Sequence, residues 1–105
     1  MLLENKIAVI TGAASERGIG WATAKRFVEE GARVAIIDLD NDQTKSAARR
    51  LGEGHYGYTC DVRNSEECQR VIQKIIDRFG GIDILVLIRA STRSSDFFEE
   101  SEKAS

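Results

Sequence analysis

A chain of 105 residues, 42% apolar and 30% charged, has room for one small soluble domain, burying only roughly 60–68% of its unfolded surface. A net charge of −2 provides no basic face for nucleic acid, and no apolar run approaches the roughly 20 residues that cross a bilayer. One histidine and two cysteines without CxxC spacing make no zinc or redox motif, so Cys60 and Cys68 read as buried free thiols and no metal is expected.

The segment Met1–Lys6 lacks a basic stretch followed by a long apolar one, so no signal peptide is expected and the protein reads as cytoplasmic. The first strand is expected over about Lys6 to Thr11, apolar throughout as a central parallel strand should be. It breaks at Thr11-Gly12 into a turn that runs to Gly18. The first helix follows from about Ile19 to Glu30, with Ala24, Phe27 and Val28 on one face and Gly31 as its stop.

Strand, glycine turn and helix together form a phosphate cradle. Glycines let backbone N–H groups approach an anion with no Cβ in the way, and the helix start adds unpaired donors and a positive dipole end. Gly12, Gly18 and Gly20 are therefore the candidates for a pyrophosphate. Ser15 offers a hydroxyl to phosphate. Arg17 offers charge to phosphate or a plane to stack on adenine, or alternatively a partner for a 2′-phosphate. Glu16 is expected to point to solvent.

The second strand, Arg33 to Asp38, ends in an acid eighteen residues after Gly20, where a dinucleotide site places its ribose-binding carboxylate. Asp38 would accept hydrogen bonds from both ribose hydroxyls and repel a 2′-phosphate, which favours NAD over NADP. An acid in that place also serves as an ordinary turn or helix cap.

Asn41 or Asp42 is a candidate cap for a second helix over about Asp42 to Leu51, whose stripe is Thr44, Ala47, Ala48 and Leu51. A third strand is expected from His55 to Asp61, with His55 at its surface edge. Asn64 or Ser65 should cap a third helix bearing Glu66 and Glu67 in its first turn and the stripe Cys68, Val71, Ile72, Ile75, Ile76 and Phe79. Gly80-Gly81 stops it, and Ile82 to Ile88 reads as a fourth strand. After Ile88 the composition turns to Ser, Arg and Glu. Residues 89–105 are expected to be a polar tail, disordered or a short helix near Ser95–Ala104 with Phe97 and Phe98 docked on the sheet.

The alternation of strand and helix predicts an α/β fold: a Rossmann-like parallel sheet in the order 3-2-1-4 with helices on both faces, one half of a doubly wound fold. Residues 1–88 would be the NAD-binding half-domain. Its fourth strand would form an apolar edge without proline, which favours a homo-oligomer through that strand.

Several of these residues, in this order, resemble the short-chain dehydrogenase/reductase family over about residue 3 to Val86. Thr11-Gly12 and Gly18-Ile19-Gly20 resemble its TGxxxGIG turn, with two extra residues between the halves. Cys60-Asp61-Val62 resembles its strand-end Asp-Val, and Gly81-Ile82-Asp83-Ile84-Leu85-Val86 the lead-in to its Asn-Asn-Ala-Gly motif. The resemblance implies that Ile19 belongs to the cofactor turn and that Asp61 and Val62 hold adenine, Asp61 through the N6 amino group. Asp61 is equally suited to capping the turn that follows it.

Where the family carries Asn-Asn-Ala-Gly, this chain reads Leu87-Ile88-Arg89-Ala90, and the resemblance ends. A changed reading frame, a truncated product or an alternative ending is expected, and the coding DNA tests the first. The family's catalytic Ser and Tyr-x-x-x-Lys pair have no counterpart here, since neither Tyr56 nor Tyr58 has a lysine at +4. No catalytic residue is assigned. The readings are an NAD-dependent oxidoreductase of alcohols and ketones, a non-catalytic NAD-binding remnant, or an interaction fragment that pairs with a longer relative. A methyltransferase-type nucleoside site is disfavoured because no acid ends the first strand. A P-loop is excluded because no Gly-Lys-Ser/Thr follows the turn.

Overall fold

A computed structural model describes residues 1–14 and 18–88. The expectations for Ser15, Glu16 and Arg17, and for residues 89–105 with Phe97 and Phe98, lie outside the described residues. The elements are β1 (Ile7–Thr11), α1 (Ile19–Glu29), β2 (Arg33–Asp38), α2 (Asn41–Leu51), β3 (Tyr56–Thr59), α3 (Ser65–Phe79) and β4 (Ile84–Val86). The four strands form one parallel sheet in the order β3-β2-β1-β4.

The sheet is covered on both faces, and alternation along the central strands decides which residue faces which layer. Ala8 and Ile10 of β1 and Val34 and Ile36 of β2 pack with Ala24 of α1 and Ala47 and Ala48 of α2. The intervening Val9, Ala35 and Ile37 pack with Val71, Ile75 and Phe79 of α3. The stripes read from the sequence are thus the contact faces, except that Ile76 of the α3 stripe is 37% exposed and lies outside the core. The small residues of α1 and α2 let those helices lie close to the sheet, while the bulkier α3 covers the other side.

Helix ends follow local chemistry, with one correction. The cap of α2 is Asp40, not Asn41 or Asp42: its carboxylate accepts from the Gln43 N–H at 2.9 Å, and the helix begins at Asn41. The side chain of Asn64 caps α3, accepting from the N–H groups of Glu66 and Glu67 at 3.1 and 3.2 Å. Gly80 closes that helix in the left-handed region at φ 88°.

The edge strands are shorter than their apolar patterns suggest. β3 pairs over Tyr56–Thr59 alone, and β4 over Ile84–Val86, because each meets only one neighbour among the described residues. His55 is not a free surface residue at a strand edge. It is half-buried, and its Nδ1 accepts from the Val34 N–H at 3.1 Å, which extends the β2–β3 junction beyond the strand. Burial and then the charge of Arg33 hold its pKa below the usual histidine value. No helix among the described residues is long and apolar enough to cross a membrane.

Candidate functional site

The C-terminal ends of β1, β2 and β3 meet the start of α1 at one rim of the sheet. The turn leaving β1 is fixed from several sides. The Gly12 N–H donates to the Ile37 carbonyl at 2.8 Å. The Thr11 hydroxyl, 5% exposed, accepts from the Ile88 N–H at 2.9 Å and so fastens the turn to the chain leaving β4.

Two glycines are required by geometry. Gly12 sits at φ +72°, and a Cβ there would lie 2.5 Å from the Ile88 carbonyl oxygen. In the first turn of α1, a Cβ on Gly20 would lie 2.4 Å from the Gly12 carbonyl oxygen. The helix start therefore rests directly on the turn backbone, an approach that any side chain would prevent. Gly18 is the N-cap and brings no side-chain acceptor, and no acid occupies the first turn of α1. Among the described residues, the donors at this helix start have no side-chain cap from Gly18 and no carboxylate in the helix's first turn, an arrangement that suits an anion. Ile19 is largely exposed beside them.

Asp38 stands at the mouth of the turn. Its Oδ2 accepts from the Ala14 N–H at 3.0 Å, and its Oδ1 accepts from the Leu39 N–H at 2.8 Å. A carboxylate has about four lone-pair positions, so these two bonds orient it and leave capacity on each oxygen. The Asp38 carbonyl in turn accepts from the Cys60 N–H at 3.0 Å, which draws the end of β3 to the same rim.

Asp61 and Val62 follow immediately. The Asp61 carboxylate holds Arg63: Oδ1 accepts from its backbone N–H at 2.9 Å and from Nε at 3.0 Å, and Oδ2 from Nη2 at 3.0 Å. These bonds keep the carboxyl below the ordinary aspartate range. Asp61 thus forms the local turn that the sequence admitted as its other role. Val62 is half exposed.

The rim unites Gly12, Gly18, Ile19, Gly20 and Asp38, with Asp61 and Val62 on the adjoining turn. Ser15 and Arg17 lie outside the described residues. Sequence reasoning missed Thr11 as a tether to Ile88; a hydroxyl at the end of an otherwise apolar strand was the available signal. An open depression of about 770 Å³, lined in part by Lys45, Arg49, His55 and Tyr56, lies at the other end of β3. It is remote from the strand C-termini where open α/β sheets take ligands.

A family model described as enoyl-(acyl carrier protein) reductase matches residues 12–104. An uncharacterized short-chain type dehydrogenase/reductase of Sinorhizobium fredii is 46% identical over 90 residues, covering 82% of this chain and 36% of the relative. The sorbitol dehydrogenase of Cereibacter sphaeroides is 42% identical over 86 residues, covering 82% and 33%. Among solved structures, a 3-ketoacyl-(acyl-carrier-protein) reductase from Brucella melitensis complexed with NADH superposes with a TM-score of 0.75. It is 35% identical, covering 79% of this chain and 33% of that one. The chain spans about a third of the length of the curated relatives it matches.

Proposed function

The chain belongs to the short-chain dehydrogenase/reductase family, and from that premise we propose that residues 1–88 are an NAD-binding unit of an oxidoreductase acting on alcohols and ketones. The observation that carries this reading is the Asp38 carboxylate hydrogen-bonded to Ala14 at the lip of the glycine turn. The lone pairs left on its oxygens suit the two hydroxyls of an unmodified ribose. A 2′-phosphate would bring charge against charge, so NAD is preferred to NADP.

Gly12 and Gly20 let the start of α1 rest on the turn backbone, which brings the helix N-terminus to the end of β1, where a pyrophosphate would bind. Gly12, Gly18, Ile19 and Gly20 would hold it with backbone donors and the start of α1, and Ser15 and Arg17 would add a hydroxyl and a positive charge. Asp61 and Val62 would flank adenine, Val62 offering an apolar surface and Asp61 an acceptor. When bound, NAD supplies the hydride acceptor for alcohol oxidation.

The residues of this chain bind and orient. Among the described residues none is placed to move the proton that accompanies hydride transfer; Tyr56 and Tyr58 belong to β3 and neither has a lysine four residues on. Binding without turnover is the expected behaviour of these 105 residues by themselves. Calorimetric titration with NAD and with NADP tests the reading: saturable NAD binding with weaker NADP binding supports it, and no binding of either rejects it.

A second feature favours self-association. Leu85 and Leu87, on and just after β4, are 54% and 71% exposed, and β4 pairs only with β1 among the described residues. A short apolar edge with free backbone groups is a template for another strand, and a second copy of the chain would supply one.

A further inference from the structure

The two cysteines have no part in the proposed cofactor binding, yet the fold brings them together beside the Asp61–Val62 turn. Cys60 follows the last paired residue of β3 and Cys68 lies in the first turn of α3. Their Sγ atoms are 3.7 Å apart, and both are free thiols. The four residues between Cys60 and the start of α3, 61–64, form a short and pinned link. Asn64 caps α3, its N–H donates to the Asp61 carbonyl at 2.9 Å, and Asp61 grips Arg63. The juxtaposition is therefore built into the β3–α3 connection and does not depend on a flexible loop.

We propose that Cys60 and Cys68 form a reversible dithiol–disulfide pair, closed by a disulfide oxidant of the glutathione type. Closure needs the sulfurs to approach by roughly 1.7 Å to reach bonding distance, within reach of a side-chain rotation plus a small shift of the first turn of α3. The two sites differ in a way that sets the order of events. Cys60 is 2% exposed, and burial together with its bond to Cys68 pushes its thiol up to about 11. Cys68 is partly exposed, and its thiol touches the carbonyls of Asp61 and Val62 at 3.8 and 3.5 Å.

Cys68 as thiolate attacks one sulfur of oxidised glutathione. The oxidant's S–S bond breaks, one glutathione thiolate leaves, and a mixed disulfide forms on Cys68. Cys60 then gives its proton to the departing glutathione and attacks the Cys68 sulfur, expelling the second glutathione. Two protein thiols are oxidised by two electrons, and one oxidised glutathione is reduced to two thiols. Dithiothreitol reverses both steps.

The whole chain, folded and reduced, is incubated with oxidised glutathione, its remaining thiols are alkylated, and it is digested with trypsin. Cleavage after Arg63 separates the two cysteines, so a bridge appears as peptide 51–63 linked to peptide 64–70. Expected are that linked pair, loss of both free thiols together, and full reversal with dithiothreitol. Cys60→Ser should instead stop at a stable glutathione adduct on Cys68, and Cys68→Ser should leave Cys60 largely unmodified. A wild-type chain that accumulates the Cys68 adduct with Cys60 free overturns the proposal, as does bridging only between chains. Circular dichroism of each variant separates a failed bridge from a failed fold, and none of these readouts requires NAD to bind.

Discussion

Asp38 is one carboxylate with one observed role and one proposed role. Its bonds to Ala14 and Leu39 shape the turn, and in the proposed function its remaining lone pairs go to a ribose. Asp38→Ala removes both. A hydrogen bond to a charged group contributes about 1.5–3 kcal/mol, so NAD affinity should fall by roughly 10–100-fold by calorimetry, while NADP affinity falls less. An unchanged NAD affinity would sever the residue from the cofactor. Gly20 tests the cradle from the other side. Gly20→Ala gains up to about 1 kcal/mol of helix propensity but forces a Cβ against the Gly12 carbonyl oxygen at 2.4 Å. Overpacking against backbone costs about 1–3 kcal/mol, and backbone yields less readily than a flexible side chain, so the urea midpoint should drop. A midpoint equal to wild type or higher would show that α1 does not rest on the turn this closely.

Among the elements, β3 depends on a residue outside its own ladder. His55 accepts from the Val34 N–H through Nδ1, and only the neutral ring can do so. Its pKa is lowered in the folded chain from the ordinary 6.5, first by burial and then by Arg33. The unfolded chain therefore binds the proton more readily, and stability is lost as pH falls from about 6.5 through the folded value. His55→Gln can keep an acceptor without titrating. Its urea midpoint relative to wild type should be constant above pH 6.5 and rise as pH drops below it. A difference that does not vary with pH would assign His55 no part in the acid response. Phe79 and Tyr56 brace the same end of the sheet edge-to-face at 5.7 Å, with Arg33 over the Phe79 ring and Arg78 over the Tyr56 ring.

The whole molecule should bind without catalysing. NAD with a panel of secondary alcohols should give no measurable NADH absorbance from this chain, and robust turnover would mean that a proton donor has been overlooked. It should also associate through β4. Sedimentation over a range of concentrations is expected to show dimers or larger species, and Leu85→Lys should shift them to monomer by placing a charge on the edge. Wild-type monomer at high concentration would leave β4 without that role.

Much of the architecture was legible because it depends on near-neighbour patterns. Apolar β-branched runs, i, i+3, i+4 stripes and turn glycines predicted four strands, three helices and the order β3-β2-β1-β4, and the resemblance named the family. The candidate site was legible in its residue types, since a glycine turn and a strand-end acid are local signals. Composition and spacing could not reveal which groups meet across the fold. His55 turns inward, Asp40 displaces its neighbours as the cap of α2, Thr11 reaches Ile88, and Cys60 reaches Cys68. The sequence by itself determined the elements and their pairing, because burial of one face of each helix and both faces of the central strands leaves few alternatives. Tertiary structure alone decided the contacts at the rim and the lengths of the edge strands, because hydrogen-bond partners far apart in the chain are chosen by distance after the layers have packed.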